Sequence, residues 1–226
     1  MVRFLVEKKA LMLHIPRTGG TWFERALDKT EIRSSRWVKK QPEFYPKKHC
    51  LLSHMSRKDM AKVNFVFAFV RHPIAYYESV WKWMSRKNYS RLIRKRWRWH
   101  PHRTAVMQYR RASGFNDWVC RMLKNRPCWY TRLVEQYVGP EGGEFCDFIG
   151  RTETLIEDFM LLLNELGYNE QVPPENELRC MERHNSIDMR IVWDRKLQAQ
   201  VLQQEVLVLN RFYEGTNLER RWYNNV

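Results

Sequence analysis

The sequence predicts an α/β fold, a central parallel β-sheet flanked by helices, and three stretches carry that expectation. Asn64–Val70 is almost continuously apolar and stops at Arg71-His72-Pro73. Strands buried on both faces, as in parallel sheets, read this way rather than alternating. Ala10–Leu13 is a shorter apolar run, followed by Pro16, the pair Gly19-Gly20, and apolar residues at 22, 23, 26 and 27. That is a strand, a glycine turn and a helix. Phe145–Ile149 reads as a late strand ended by Gly150-Arg151, and the helical pattern after it runs from Thr152 to Leu166 with Gly167 as its cap. Strands alternating with helices in this way build parallel sheets.

The 226 residues suffice for one domain with a sizeable core. The expected organisation is a single domain over 1–226, with a basic insertion at about 86–111 and a C-terminal helical part at about 181–226. A hydrophobic fraction of 44% with 14% aromatics excludes a disordered chain. Forty Lys and Arg against 25 Asp and Glu leave a net charge of +15. That balance points to a polyanionic partner, either nucleic acid, a sulfated or carboxylated glycan, or a nucleotide; a basic solubilising surface is the plainer account. The five cysteines (Cys50, Cys120, Cys128, Cys146, Cys180) form no C-x-x-C pair, which speaks against zinc. They fit the reduced thiols of a cytoplasmic protein, although Cys120 and Cys128 could pair in an oxidising compartment. No signal peptide fits before the first strand and no apolar run approaches membrane-spanning length, so a soluble protein is expected.

Between these strands the chain reads as follows. Residues 28–48 are polar and basic, with Pro42 and Pro46 as breakers, and suit a loop or short helix. His49–His54 is a short apolar run between two histidines, read as a second strand, and Ser56-x-x-Asp59 opens a helix. Pro73 stands at a first helical position for Ile74–Met84. Residues 86–111 hold ten Arg and Lys, among them Arg94, Arg96 and Arg98, with no acidic residue and with Trp97, Trp99 and Tyr109 interleaved. Arginine forks with aromatic faces suit an anionic glycan or nucleic acid; a solvated loop is the alternative. Phe115–Leu123 and Trp129–Val138 are amphipathic helices, Gly139–Gly143 is a turn, and 168–180 is a Pro-rich linker. Ile187–Tyr213 reads as one long amphipathic helix before a polar tail, Glu214–Val226.

The turn after the first strand has the chemistry of an oxyanion cradle. The first amides of a helix lack intrahelical partners and carry the positive end of its dipole. Paired glycines admit an anion close to the backbone, Arg17 adds charge, and Thr18 and Thr21 add hydroxyls. Set on the nucleoside-triphosphate loop G-x-x-x-x-G-K-[ST], the stretch puts His14 where the first Gly belongs and Gly20 where the Lys belongs. An ATPase or GTPase reading is therefore poor. Pro16-Arg17-Thr18-Gly19-Gly20-Thr21 instead resembles the 5′-phosphosulfate loop of sulfotransferases, P-K-T-G-G-T, with Arg for the usual Lys. The block F-A-F-V-R-H-P-I-A-Y-Y-E-S resembles the family's F-x-F-V-R-D/N-P-x-x-R-x-x-S, departing at His72 and Tyr76. Its Arg71-x7-Ser79 spacing matches the family's 3′-phosphate signature. A third string, F-I-G-R-T-E-T-L-I-E-D-F, resembles F-I-G-R-F/Y-E-N-L-x-x-D-F, and Arg183-His184-Asn185-Ser186 is a weaker match.

The resemblance implies a P-loop-NTPase-like sulfotransferase fold. It implies transfer of a sulfuryl group from 3′-phosphoadenosine 5′-phosphosulfate (PAPS, leaving the bisphosphate PAP) to an acceptor hydroxyl, usually on a carbohydrate, without a metal. Carried over residue by residue, it assigns Pro16, Arg17, Thr18, Gly19, Gly20, Thr21 and Trp22 to the 5′-phosphosulfate, and Arg71 and Ser79 to the 3′-phosphate. Arg17 is also a catalytic candidate. His54, at an expected strand end, is the candidate base, with His49 in reserve. Arg94, Arg96 and Arg98 are expected to bind the acceptor, an anionic or neutral carbohydrate or another hydroxyl compound, and no stable nucleic-acid complex is expected. Arg151 and Glu153 are site candidates or a structural ion pair. Animal glycan sulfotransferases usually carry a membrane anchor, and none fits here, which points to a bacterial or viral form. Two rival classes stand beside this reading: a nucleotide or small-molecule kinase with a divergent phosphate loop, and a non-catalytic polyanion-binding protein.

Overall fold

The computed structural model describes residues 3–36, 51, 55–86, 102–141, 143–181 and 189–216. In chain order the elements are β1 (Arg3–Leu5), β2 (Ala10–Leu13), α1 (Gly20–Leu27), β3 (Ser34–Arg36), α2 (Arg57–Met60), β4 (Phe65–Val70), α3 (Pro73–Met84), α4 (Arg103–Tyr109) and α5 (Phe115–Asn125). There follow α6 (Trp129–Val138), β5 (Phe148–Arg151), α7 (Leu155–Glu165), α8 (Glu175–Arg179), α9 (Arg195–Gln204) and α10 (Val206–Phe212). The chain packs as two compact units, Met1–Val70 with Glu135–His184, and Arg71–Val134 with Asn185–Val226.

The first unit holds a five-stranded sheet in the order β3-β1-β2-β4-β5. The expected parallel core is present. Ala10–Leu13 pairs with Phe65–Ala68, and Phe67–Val70 pairs with Phe148–Arg151, both parallel. The sheet as a whole is mixed, because β1 lies antiparallel to both β2 and β3. These two strands correct the sequence reading, which put a loop or short helix where β3 lies. Three residues each, Arg3-Phe4-Leu5 and Ser34-Ser35-Arg36, are too short to show an alternation. Backbone pairing to β2 and β1 makes them strands.

Met12, Phe67 and Phe69 share a cluster with Trp22, Phe23, Ala26 and Leu27 of α1 and Phe159, Leu162 and Leu163 of α7. Phe23 sits at its centre, 5.5 Å from both Phe67 and Phe69 and 5.3 Å from Phe159 between ring centroids. Leu11, Leu13, Ala68 and Val70, on the alternate positions, are also fully buried. That two-sided burial is why β2 and β4 read as continuous apolar runs. β5 starts later than expected, at Phe148, because Asp147 is used to lock the entry of β4. Its N–H donates to the Val66 carbonyl (2.7 Å), and its carboxylate accepts from the Val66 N–H (2.7 Å). Past β5, the Thr152 N–H and hydroxyl both donate to the Val70 carbonyl at 2.8 Å. α7 begins at Leu155 and ends before Gly167, whose φ of 73° is the left-handed turn foreseen for it. Ser56 caps α2 as expected, accepting from the Asp59 N–H.

The second unit has an aromatic core. Tyr76 and Tyr77 of α3 are fully buried. Tyr76 stacks on Tyr130 at 3.8 Å, and Tyr77 meets the edges of Trp118 (5.8 Å) and Trp129 (5.5 Å). The buried Trp118 indole donates to the Ala105 carbonyl at 3.0 Å, as a buried Trp N–H requires. The single helix expected over Ile187–Tyr213 is not formed. Residues 189–194 are irregular, and Asp194 caps a helix start by accepting from the Leu197 N–H. The helix breaks at Glu205, which is fully buried and bonded to other elements. The expected strand His49–His54 lies outside the described residues apart from Leu51, which is buried.

His72, between β4 and α3, is fully buried with its ring edge-on to Tyr213 at 5.2 Å. Burial lowers its pKa from 6.5 to about 3. The unfolded chain therefore takes up a proton below about 6.5 that the native state refuses until about 3. This contribution to stability is whole above the upper value and declines by about 1.4 kcal/mol per pH unit as the pH falls through that window. His72→Phe should flatten the acid limb by close to that slope in urea unfolding between about pH 4 and 6. Identical pH slopes in the two proteins would refute the assignment.

Candidate active site

The turn between β2 and α1 is built from its own backbone. His14, Ile15 and Pro16 leave the strand buried, and Thr18 is 1% exposed with its hydroxyl donating to the Ile15 carbonyl at 2.9 Å. Arg17 has φ 70° and Gly19 φ 86°. For glycine that conformation costs little; for arginine it stores strain on the order of 1–3 kcal/mol, the kind that collects at functional sites. Gly19 is the N-cap of α1, and the Phe23 N–H closes the first helical bond on its carbonyl at 3.0 Å.

Gly19, having no side chain, cannot cap this terminus, and the first turn has no acidic residue. α3, α4, α5, α7, α8 and α10 likewise lack a bond from the N-cap side chain, whereas α2 and α9 are capped by Ser56 and Asp194. The leading amides and dipole of α1 can thus serve an anion, with the half-buried Arg17 two residues before the cap. Thr21 is exposed and can offer its hydroxyl. Trp22 is 8% exposed, its ring edge-on to Phe159 at 5.6 Å. Its side chain belongs to the core, and what it can offer a ligand is its amide.

The glycine pair also answers to packing. A Cβ on Gly20 would overlap the imidazole of His14, and one on Gly19 would come 2.9 Å from Leu155 Cδ2. Where a nucleoside-triphosphate loop has its first glycine, this chain carries His14, and the ring fills the space that a side chain at 20 would need. The departure from that loop is thus one paired change, His at 14 with Gly at 20.

The other expected residues are distributed as follows. Arg71 directly follows β4, is half-buried, and donates its N–H to the Tyr130 hydroxyl at 2.8 Å. Ser79 is 6% exposed on α3, among the buried Ile74, Tyr76, Tyr77 and Val80. Arg151 ends β5 and pairs with Asp158, its Nε 3.9 Å from the carboxylate. The same carboxylate accepts from the Arg151 N–H (2.6 Å) and the Thr154 hydroxyl (2.9 Å). Glu153 is half-buried in the turn after β5. His49, His54, Arg94, Arg96 and Arg98 lie outside the described residues. Tyr130 and Glu205 were missed by sequence reasoning; a Tyr within an amphipathic helix and a Glu within another carry no local signal. Cys120, Cys128, Cys146 and Cys180 are free thiols, and burial pushes the Cys146 thiol up to about 12. Among the described residues no three His, Cys, Asp or Glu are grouped to hold a metal, and no helix is long and apolar enough to cross a membrane.

A model of the sulfotransferase family matches residues 3–215. The chain belongs to the sulfotransferase family. No curated protein and no solved structure matches it. The family match runs from β1 to beyond α10 and so includes residues of both compact units of this sulfotransferase.

Gly20→Ala should destabilise the sulfotransferase by about 1–3 kcal/mol, the usual cost of overpacking. Adding His14→Ala should return most of that loss, because it removes the overlapped ring. A double mutant no more stable than Gly20→Ala alone would show that the two positions are not coupled.

Proposed function

We propose that this sulfotransferase moves a sulfuryl group from PAPS to an acceptor hydroxyl, with a carbohydrate as the acceptor. The observation that carries the reading is the uncapped α1 terminus with strained Arg17 before it, at the end of β2 in a chain of this family. Bound PAPS supplies the activated sulfuryl group and a phosphate leaving group.

Sulfuryl transfer, like phosphoryl transfer, depends on positioning and charge stabilisation. The amides that open α1, with Arg17 and the exposed Thr21 hydroxyl, would hold the 5′-phosphate and stabilise the charge it gains. Arg17 acts through charge and hydrogen bonds alone, since a guanidinium does not give up its proton. Thr18 braces the turn through Ile15 rather than offering its hydroxyl proton outward. Arg71 and Ser79 would bind the 3′-phosphate, as their spacing suggests.

On the acceptor side, His54 is proposed to take the hydroxyl proton, with His49 the alternative. Arg94, Arg96 and Arg98 would meet an anionic acceptor. In support, the described end of that basic stretch, α4 and its C-cap, exposes Arg103, Met107 and Arg110 at helical spacing on one face. For Arg151, the pairing with Asp158 favours bracing of the β5–α7 turn over substrate contact. The direct test is transfer of labelled sulfate from PAPS to a panel of glycans and simple alcohols. Phosphate transfer from ATP with Mg²⁺, and no sulfate transfer, would overturn the reading.

Arg71→Ala should weaken PAP binding by about 1.5–3 kcal/mol, the range for a charged hydrogen bond. It should also erase most of the preference for PAP over adenosine 5′-phosphate in calorimetry, and an unchanged preference would sink the assignment. His54→Ala should cut kcat by about 10²–10⁴, the reach of general base catalysis, and leave PAP affinity intact. Were His49→Ala the inactive variant instead, the base would be His49. Full activity in both would remove this segment from the chemistry.

A further inference from the structure

We propose that Tyr130, itself held by the buried carboxylate of Glu205, positions Arg71 for recognition of the donor's 3′-phosphate. The inference rests on the reading of Arg71 given above and goes beyond it to what holds Arg71 in place.

Arg71 opens a turn that offers two backbone donors, its own N–H and that of His72, because Pro73 has none. The Arg71 N–H donates to the Tyr130 hydroxyl at 2.8 Å. Tyr130 is fully buried and its ring lies on Tyr76 at 3.8 Å with 21° between the planes. A stacked, enclosed phenol has no second rotamer, so its oxygen is a fixed point.

The backbone of Tyr130 is fixed as well. Tyr130 and Thr131 are the second and third residues of α6, whose amides a helix start leaves without partners. Cys128, at the N-cap position with φ 53°, has no oxygen with which to cap them. Glu205, between α9 and α10, does so. Its Oε1 accepts from the Tyr130 N–H (3.1 Å) and the Tyr77 hydroxyl (3.0 Å). Its Oε2 accepts from the Thr131 N–H and hydroxyl, both at 2.7 Å. Four donors and the positive end of α6 compensate for burying the carboxylate. Burial, followed by the charge of Glu205, raises the Tyr77 pKa well above its usual value, which keeps that donor protonated.

One carboxylate thus joins α3, α6 and the α9–α10 junction, and the network ends on the main chain of Arg71. A role confined to stability would not need that last link. Displacing the backbone from which a guanidinium projects changes its fit to a phosphate, where small misplacements are costly.

The test is calorimetric titration of PAP and of adenosine 5′-phosphate into wild type, Tyr130→Phe, Glu205→Gln and Arg71→Ala. The ratio of the two affinities is the readout. Tyr130→Phe keeps the stacked ring and removes only the hydroxyl, so it should fold and lower the ratio about 2- to 10-fold, the worth of one neutral hydrogen bond. Donor KM should rise with kcat unchanged. Glu205→Gln, if it folds, should lower the ratio in the same direction together with the melting temperature. A wild-type ratio in Tyr130→Phe beside a collapsed ratio in Arg71→Ala would overturn the positioning role and leave the reading of Arg71 standing. A wild-type ratio in Arg71→Ala would overturn both.

Discussion

The parallel pairing of Ala10–Leu13 with Phe65–Ala68 is the contact on which the rest depends. Parallel strands finish at the same edge of a sheet, so the turn after β2 opens at the edge where β4 ends. A parallel ladder is also demanding, since both of its faces must be covered. One face is closed by α1 and α7 around Phe23, so the helix proposed to hold the donor's 5′-phosphate at its terminus also seals the core. Glycine at 150 lets β5 lie close beside its neighbours: a Cβ there would overlap Phe69 and come 3.2 Å from the Asp158 Cβ.

The second unit solves a different problem by a related device. It carries a broad, stacked aromatic core with a carboxylate, Glu205, inside it. Such a group is tolerated only when fully hydrogen-bonded, and the start of α6 supplies donors whose own partners are missing. Each need is met by the other. The α1 terminus is the counterpart: equally rich in donors, with a glycine, Gly19, at its N-cap. The α6 start is thus closed by an internal carboxylate, and the α1 start is the one proposed to take an external anion.

Elements with a strong local pattern were legible. The two-sided strand Phe65–Val70, the Pro73 helix start, the Ser56 cap and the Gly167 stop all lie where the residues indicate. β1 and β3 were not legible because strands of three residues have no periodicity to read. The break at Glu205 was hidden because Gln-Gln-Glu-Val suits a helix, and only the distant amides of Tyr130 and Thr131 draw the carboxylate inward.

By itself, the sequence determined the parallel core, the strand–glycine turn–helix of β2 and α1 and the family, because each rests on contiguous residues whose burial period or backbone freedom shows in the chain. Tertiary structure alone decided that Arg17 is strained, that His14 requires glycine at 20, that Trp22 belongs to the core, and that Arg71 is tied through Tyr130 to Glu205. The last three of those facts join residues from 6 to 137 positions apart, read from Gly20 with His14 and Trp22 with Phe159. Steric overlap and hydrogen bonding act through space, and no spacing rule along the chain encodes them.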